Sequence, residues 1–156
     1  MCIRDRALGG AKNHAVVLPD ADLDFAADHV TAAAFGSAGE RCMAVSAAVA
    51  VGSAGDELVD AVRERASRIR VGAGRDDGSE MGPVITREAK ERIVGYIERT
   101  EPAGGHLALD GRGLVVKGYE NGFFVGPTIV DQVTPAMEVY RDEIFGPCLL
   151  YTSRCV

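Results

Sequence analysis

The chain has 156 residues, of which 47% are hydrophobic and 26% charged, and its 17 Lys plus Arg against 23 Asp plus Glu give a formal net charge of −6. That is ordinary globular composition for one domain with a real core, and the acidic balance argues against a nucleic-acid binder, which shows a basic face. No run approaches the roughly 18 apolar residues of a membrane helix, and with 6% aromatics, no Trp and 19 Gly the chain turns often and packs with aliphatic side chains.

The apolar run 15–18 (AVVL) reads as a short strand ending in the turn Pro19-Asp20-Ala21-Asp22. Asp20, Asp22 and Asp24 are candidate N-caps for an Ala-rich helix. Its apolar positions are Phe25, Ala26, Val30, Ala33 and Ala34, and Gly36 suits its end. The next segment, GSAGERCMA at 36–44, has two glycines in four positions and reads as a loop. Val45, Ala47, Val49 and Val51 alternate with smaller residues, as in a strand. Asp56 is placed to cap a second helix, in which Val59, Val62, Ala66 and Ile69 recur at helical spacing. Residues 71–83 are Gly-rich and charged, hence a long loop. A third helix is expected from Thr86 to about Thr100, with Ala89, Ile93, Ile97 and Thr100 on one stripe and a stop at Glu101-Pro102. Short strands are expected at 107–109, 114–116, 123–125 and 128–130. The alternation of strands and helices predicts an α/β domain.

Four cysteines stand at 2, 42, 148 and 155. None forms a C-x-x-C pair, so no zinc site of the usual spacing is expected and no metal is assigned. The start, MCIRDRALGG, lacks the apolar stretch of a secretory signal. A reducing, cytoplasmic setting is therefore the expectation. A free cysteine is most often a small buried hydrophobe. Cys42 differs in lying between a Gly-rich loop and a strand, where a side chain can face a cleft. It also follows Arg41, a cation able to lower a thiol pKa if it points the same way. A cysteine hydrolase would need a histidine base with an orienting partner. His14, His29 and His106 sit in no such pattern. Gly9-Gly10 precedes a strand and Gly72-Ala73-Gly74 lacks a third glycine, so the chain shows no dinucleotide fingerprint of its own.

Six ordered segments carry a resemblance: LGGAKNH at 8–14, PDADLD at 19–24, GSAGERCMA at 36–44, MGPVI at 81–85, GYENGFFVGPTI at 118–129 and DEIFGP at 142–147. Together they resemble the aldehyde dehydrogenase superfamily. GAKNH and FGSAGERCMA are most similar to its methylmalonate-semialdehyde branch, which is acylating. The resemblance implies part of that family's catalytic domain over residues 7–150, an α/β fold with a parallel-type sheet and flanking helices. Residues 1–6 and 151–156 depart from the family pattern and are expected to be non-native tails. Cys42 matches the catalytic nucleophile. Glu143 matches the residue holding the nicotinamide ribose, and Phe145 its neighbour beside the nicotinamide. Arg41 is a candidate for the substrate's carboxylate, which suits a guanidinium. The implied cofactor is NAD, with coenzyme A as acyl acceptor, a small semialdehyde as substrate, and a homo-oligomeric, tetrameric parent protein. The segment alone is expected to bind little NAD and to be inactive.

One departure points to the acyl acceptor. Family members that release a free acid carry a Glu just before Leu-Gly-Gly, as base for attacking water; here Ala7 precedes Leu8. A positioned base contributes about 10²–10⁴-fold, so its loss favours a thiol acceptor. Glu40, two residues from Cys42, is a conceivable substitute base, against which its side chain could equally pair with Arg41. Two other readings stand beside this one: a hydrolytic aldehyde dehydrogenase, and a catalytically inert assembly module.

Overall fold

The computed structural model describes residues 9–154. Cys2, Cys155, Ala7, Leu8 and the segment 1–6 lie outside them. Five strands form one sheet in the order β1-β2-β5-β4-β3. They are β1 (Asn13–Val17), β2 (Val45–Val51), β3 (His106–Leu109), β4 (Thr128–Asp131) and β5 (Cys148–Arg154). The pairs β1–β2, β2–β5 and β5–β4 are parallel, whereas β3 joins β4 antiparallel. The helices are α1 (Leu23–Phe35), α2 (Gly55–Ser67), α3 (Arg87–Thr100) and the single turn α4 (Glu138–Arg141). The expected α/β architecture is the one observed.

Small side chains allow close layering. Ala47, Ala48 and Ala50 of β2 are fully buried, as central parallel strands covered on both faces must be. Asp22 caps α1, its Oδ1 accepting from the Phe25 N–H at 3.0 Å. Ala27, Val30, Ala34 and Phe35 of α1 are buried. Across the exposed rim Arg65 of α2 reaches Asp24 at 3.1 Å and also Asp28. In α3 the expected stripe is the buried one: Ala89, Ile93, Ile97 and Thr100. Thr86 caps that helix through Oγ1 and the Ala89 N–H, 3.1 Å apart.

Several expectations fail for identifiable reasons. Phe25 is 64% exposed and stacks on His29 instead of entering the core; three residues after its cap it lies on the outer side of the helix. Asp56 is in the first turn of α2, whose N-cap is Ala54. The runs 114–116 and 123–125 are not strands. Gly113 and Gly118 hold positive φ there, and the Gly126 N–H bonds the Gly111 carbonyl, folding the segment into an irregular loop with Val115 outside. β5 and α4 were not anticipated. β5 continues through Arg154 alongside Val51, and Tyr151 is buried with its hydroxyl on the Gly55 carbonyl at 2.7 Å. Residues 151–154 pair with β2 as the second half of β5.

Candidate active site

The turn between α1 and β2 is built from unusual backbone. Ser37, Ala38 and Gly39 all adopt left-handed conformations, with φ of 54°, 54° and 68°. Only glycine does so freely; the two others cost about 1–2 kcal/mol each. Such strain persists where the surroundings over-determine it, as at functional turns. The same applies to Phe145, at φ 52°. These two strained turns touch. A Cβ on Gly39 would lie 2.1 Å from the Gly146 carbonyl oxygen, so the backbones meet where only hydrogen fits. Ile93 of α3 backs the second turn, 2.5 Å from where a Gly146 Cβ would stand.

Cys42 follows the first turn and is a free, exposed thiol. It lines an open cavity of about 560 Å³ with His29, Ala32, Ala33, Arg41 and Met43. Arg41, Ala44, Glu143 and Phe145 line a neighbouring tight crevice together with Lys12 and Gly39. Arg41 thus borders both spaces. Glu143 is half-buried, and a Cβ at residue 10 would lie 3.4 Å from its Oε2, so the carboxylate sits over the Gly10 backbone.

Two residues that sequence reasoning passed over hold these parts in place. Asn13 Nδ2 donates to the carbonyls of Cys42 and Ala44, at 2.8 and 2.9 Å. It pins both ends of the Cys42 turn to β1. Lys12 Nζ donates to the Val139 carbonyl at 2.9 Å and to the Asp142 carbonyl, fixing the approach to Glu143. Burial lowers the Lys12 pKa, while Cys148, Asp142 and Glu143 oppose that shift. The sequence signal was the polar triplet Lys12-Asn13-His14 leading into a strand; without a fold, nothing tells which loops it reaches.

The histidines do not form a dyad with Cys42. His14 Nδ1 meets the Lys12 carbonyl at 2.9 Å, which makes Nδ1 the donor; Nε2 then accepts from the Tyr140 hydroxyl at 2.8 Å. His106 lies at the start of β3, at the opposite edge of the sheet from β1. His29 reaches the Cys42 cavity from α1, but no hydrogen-bonded third group orients it among the described residues. Nor do they hold a cluster of three metal-ligating side chains, or a helix long and apolar enough to cross a membrane.

Arg41 and Glu40 part company. Arg41 Nη2 donates to the Ala32 carbonyl at 3.3 Å, not to Glu40. The Glu40 Oε1 is buried without a hydrogen-bond partner. Burial raises its pKa, against the pull of the Ile85 backbone N–H and the Arg92 guanidinium. Glu40 and Arg41 therefore do not pair with each other.

A model described as the aldehyde dehydrogenase family matches residues 4–153. The acylating mitochondrial methylmalonate-semialdehyde/malonate-semialdehyde dehydrogenase of Rattus norvegicus is 51% identical over 147 residues, 94% of this chain and 27% of that protein. The crystal structure of a methylmalonate-semialdehyde dehydrogenase from Oceanimonas doudoroffii superposes with a TM-score of 0.92 at 51% identity, covering 96% of this chain and 31% of the other. A betaine aldehyde dehydrogenase from Staphylococcus aureus, solved with NAD+, gives a TM-score of 0.90 at 28% identity over 94% of this chain and 29% of its own. The chain thus spans less than a third of the proteins it resembles.

Proposed function

This chain belongs to the aldehyde dehydrogenase family, and on that footing we propose that it is the nucleophile-bearing segment of an NAD-dependent semialdehyde dehydrogenase that delivers its acyl group to coenzyme A. The observation that carries the reading is the exposed Cys42 thiol just after a strained turn that packs, through Gly39, against the turn of Glu143 and Phe145. The name of the acylating rat relative and the NAD+ complex of the S. aureus structure support it.

The Cys42 thiolate attacks the aldehyde carbon, forming a C–S bond and placing the former carbonyl electrons on oxygen. The Cys42 backbone N–H donates to that oxyanion, a stabilisation of the oxyanion-hole kind. Its carbonyl is held by Asn13, which fixes the peptide's direction. NAD, when bound, supplies the acceptor for the hydride that leaves this carbon. The residues suit it: the Glu143 carboxylate would accept from ribose hydroxyls, and Phe145 would offer an apolar face beside them. A thioester then remains on Cys42 Sγ. The coenzyme A thiolate attacks its carbonyl carbon, and the Cys42 thiolate leaves. Arg41, bordering the Cys42 cavity, meets the substrate's carboxylate.

Water is the competing nucleophile. Ala7 supplies no base. Glu40 is a poor replacement, since it lines neither the Cys42 cavity nor the crevice of Glu143, and its neighbours are Ile85 and Arg92. Without a base, water attack loses about 10²–10⁴-fold. In the complete dehydrogenase carrying this segment, a semialdehyde, NAD and coenzyme A are expected to yield acyl-coenzyme A. Free acid formed at a rate indifferent to coenzyme A would support the hydrolytic reading instead.

A further inference from the structure

The end of α1 has a feature that the chemistry at Cys42 does not require. The helix has no basic residue in its last turn, and Gly36 closes it with its N–H on the Ala32 carbonyl. Arg41 comes back from the loop and donates Nη2 to that same carbonyl at 3.3 Å. A cation there is favoured by the partial negative charge of a helix C-terminus. The guanidinium lies close against Gly36, Nη2 foremost. A Cβ at residue 36 would stand 2.4 Å from Nη2, 3.1 Å from Cζ and 3.6 Å from Nη1. The berth exists because residue 36 has no side chain.

Backbone conformation does not demand glycine at this position. Gly36 has φ −54° and ψ 133°, which any L-residue adopts. The obstruction is also only the far end of a flexible side chain. Alanine would fold here and displace the guanidinium. By contrast Gly39, three residues on, is held by its positive φ and a backbone contact. The two glycines of one loop thus serve different ends.

We propose that Gly36 is a specificity-determining residue, whose missing side chain berths Arg41 against the C-terminal end of α1 and so directs the enzyme toward short aldehydes bearing a terminal carboxylate. This rests on the reading that Arg41 meets the substrate's carboxylate. Gly36 acts through Arg41 and touches no reacting atom; it is a positioning residue. With Nη2 engaged on Ala32, the remaining guanidinium donors stay oriented beside the cavity that holds Cys42. A side chain at 36 releases the guanidinium into solvent-exposed rotamers, and the fixed charge is lost.

The test compares kcat/KM for malonate semialdehyde with that for propanal, an uncharged aldehyde of equal chain length, in the complete dehydrogenase. Gly36→Ala is expected to lower the ratio of the two at least about tenfold, in the range of a lost charged hydrogen bond. Gly36→Val should lower it further. Arg41→Ala should collapse the same ratio, and adding Gly36→Ala to it should change the ratio no more, because both act through one guanidinium. A ratio lost in Arg41→Ala but kept in both Gly36 variants overturns the role of Gly36 alone. A ratio kept in Arg41→Ala overturns the carboxylate reading and this inference with it. Since the readout is a ratio, a general loss of folded enzyme does not move it.

Discussion

Replacing Cys42 by Ala is expected to lower NADH formation by the complete dehydrogenase at least about 10⁴-fold, the scale on which an enzyme suffers when its covalent nucleophile is removed. The scaffold around it should survive. Asn13 bonds the Cys42 and Ala44 carbonyls, not the sulfur, so the turn remains pinned when the thiol is gone. No second thiol among the described residues can take over. Cys148 is buried in the sheet, and burial pushes its pKa up to about 12 despite the nearby Lys12. It stays protonated at neutral pH, and only a thiolate attacks a carbonyl. Iodoacetamide at pH 7 should accordingly label Cys42 well before Cys148. A Cys42→Ala enzyme keeping a tenth of its activity, or equal labelling of the two thiols, would favour the inert assembly module.

The second large effect is expected at Gly39. Its α-hydrogen faces the Gly146 carbonyl, and a methyl group there would sit 2.1 Å from the oxygen and 2.6 Å from the carbon. Neither atom is a side-chain end that can swing away. Gly146 O also accepts the Cys148 N–H at 2.7 Å, and Ile93 blocks retreat on the far side. A left-handed Ala costs about 1–2 kcal/mol, and overpacking a tight contact a further ~1–3 kcal/mol. The cheapest relaxation is to part the two turns, which moves Cys42 away from Glu143 and Phe145. Misplacement by about 1 Å costs on the order of 10²-fold in rate. Gly39→Ala should therefore lower both the thermal midpoint and kcat/KM, the latter at least about 100-fold. Gly74→Ala, at a site with nothing within 4 Å, is the matched control and should behave as wild type. A fully active Gly39→Ala enzyme would show that the contact of the turns does not position the nucleophile.

Periodicity made much of this fold legible. The α3 stripe is four residues at helical spacing, and those four are the buried ones. The Val45–Val51 alternation is strand β2, which pairs on both sides, with β1 and β5. What periodicity cannot see is which segments meet. The strand β5 follows Gly-Pro and ends in polar residues, so its centrality between β2 and β4 comes from partners distant in sequence. The runs 114–116 and 123–125 have strand-like composition, but backbone contact at Gly111 and Gly126 closes them into a loop instead. At the site, Cys42, Arg41, Glu143 and Phe145 were singled out by their motifs. Lys12 and Asn13 were not, because their partners, 29 to 130 residues away, are backbone carbonyls that carry no side-chain signature. Adjacency alone leaves Glu40 and Arg41 free to pair; they do not, because Arg41 is drawn to the α1 terminus while the Glu40 Oε1 is buried without a partner.

The most direct test of the account is mass spectrometry on the complete dehydrogenase, quenched during reaction with a semialdehyde and NAD in the absence of coenzyme A. The expected result is an acyl group on the peptide that contains Cys42, discharged when coenzyme A is added. Continued NADH formation with Cys42 unmodified throughout would contradict it.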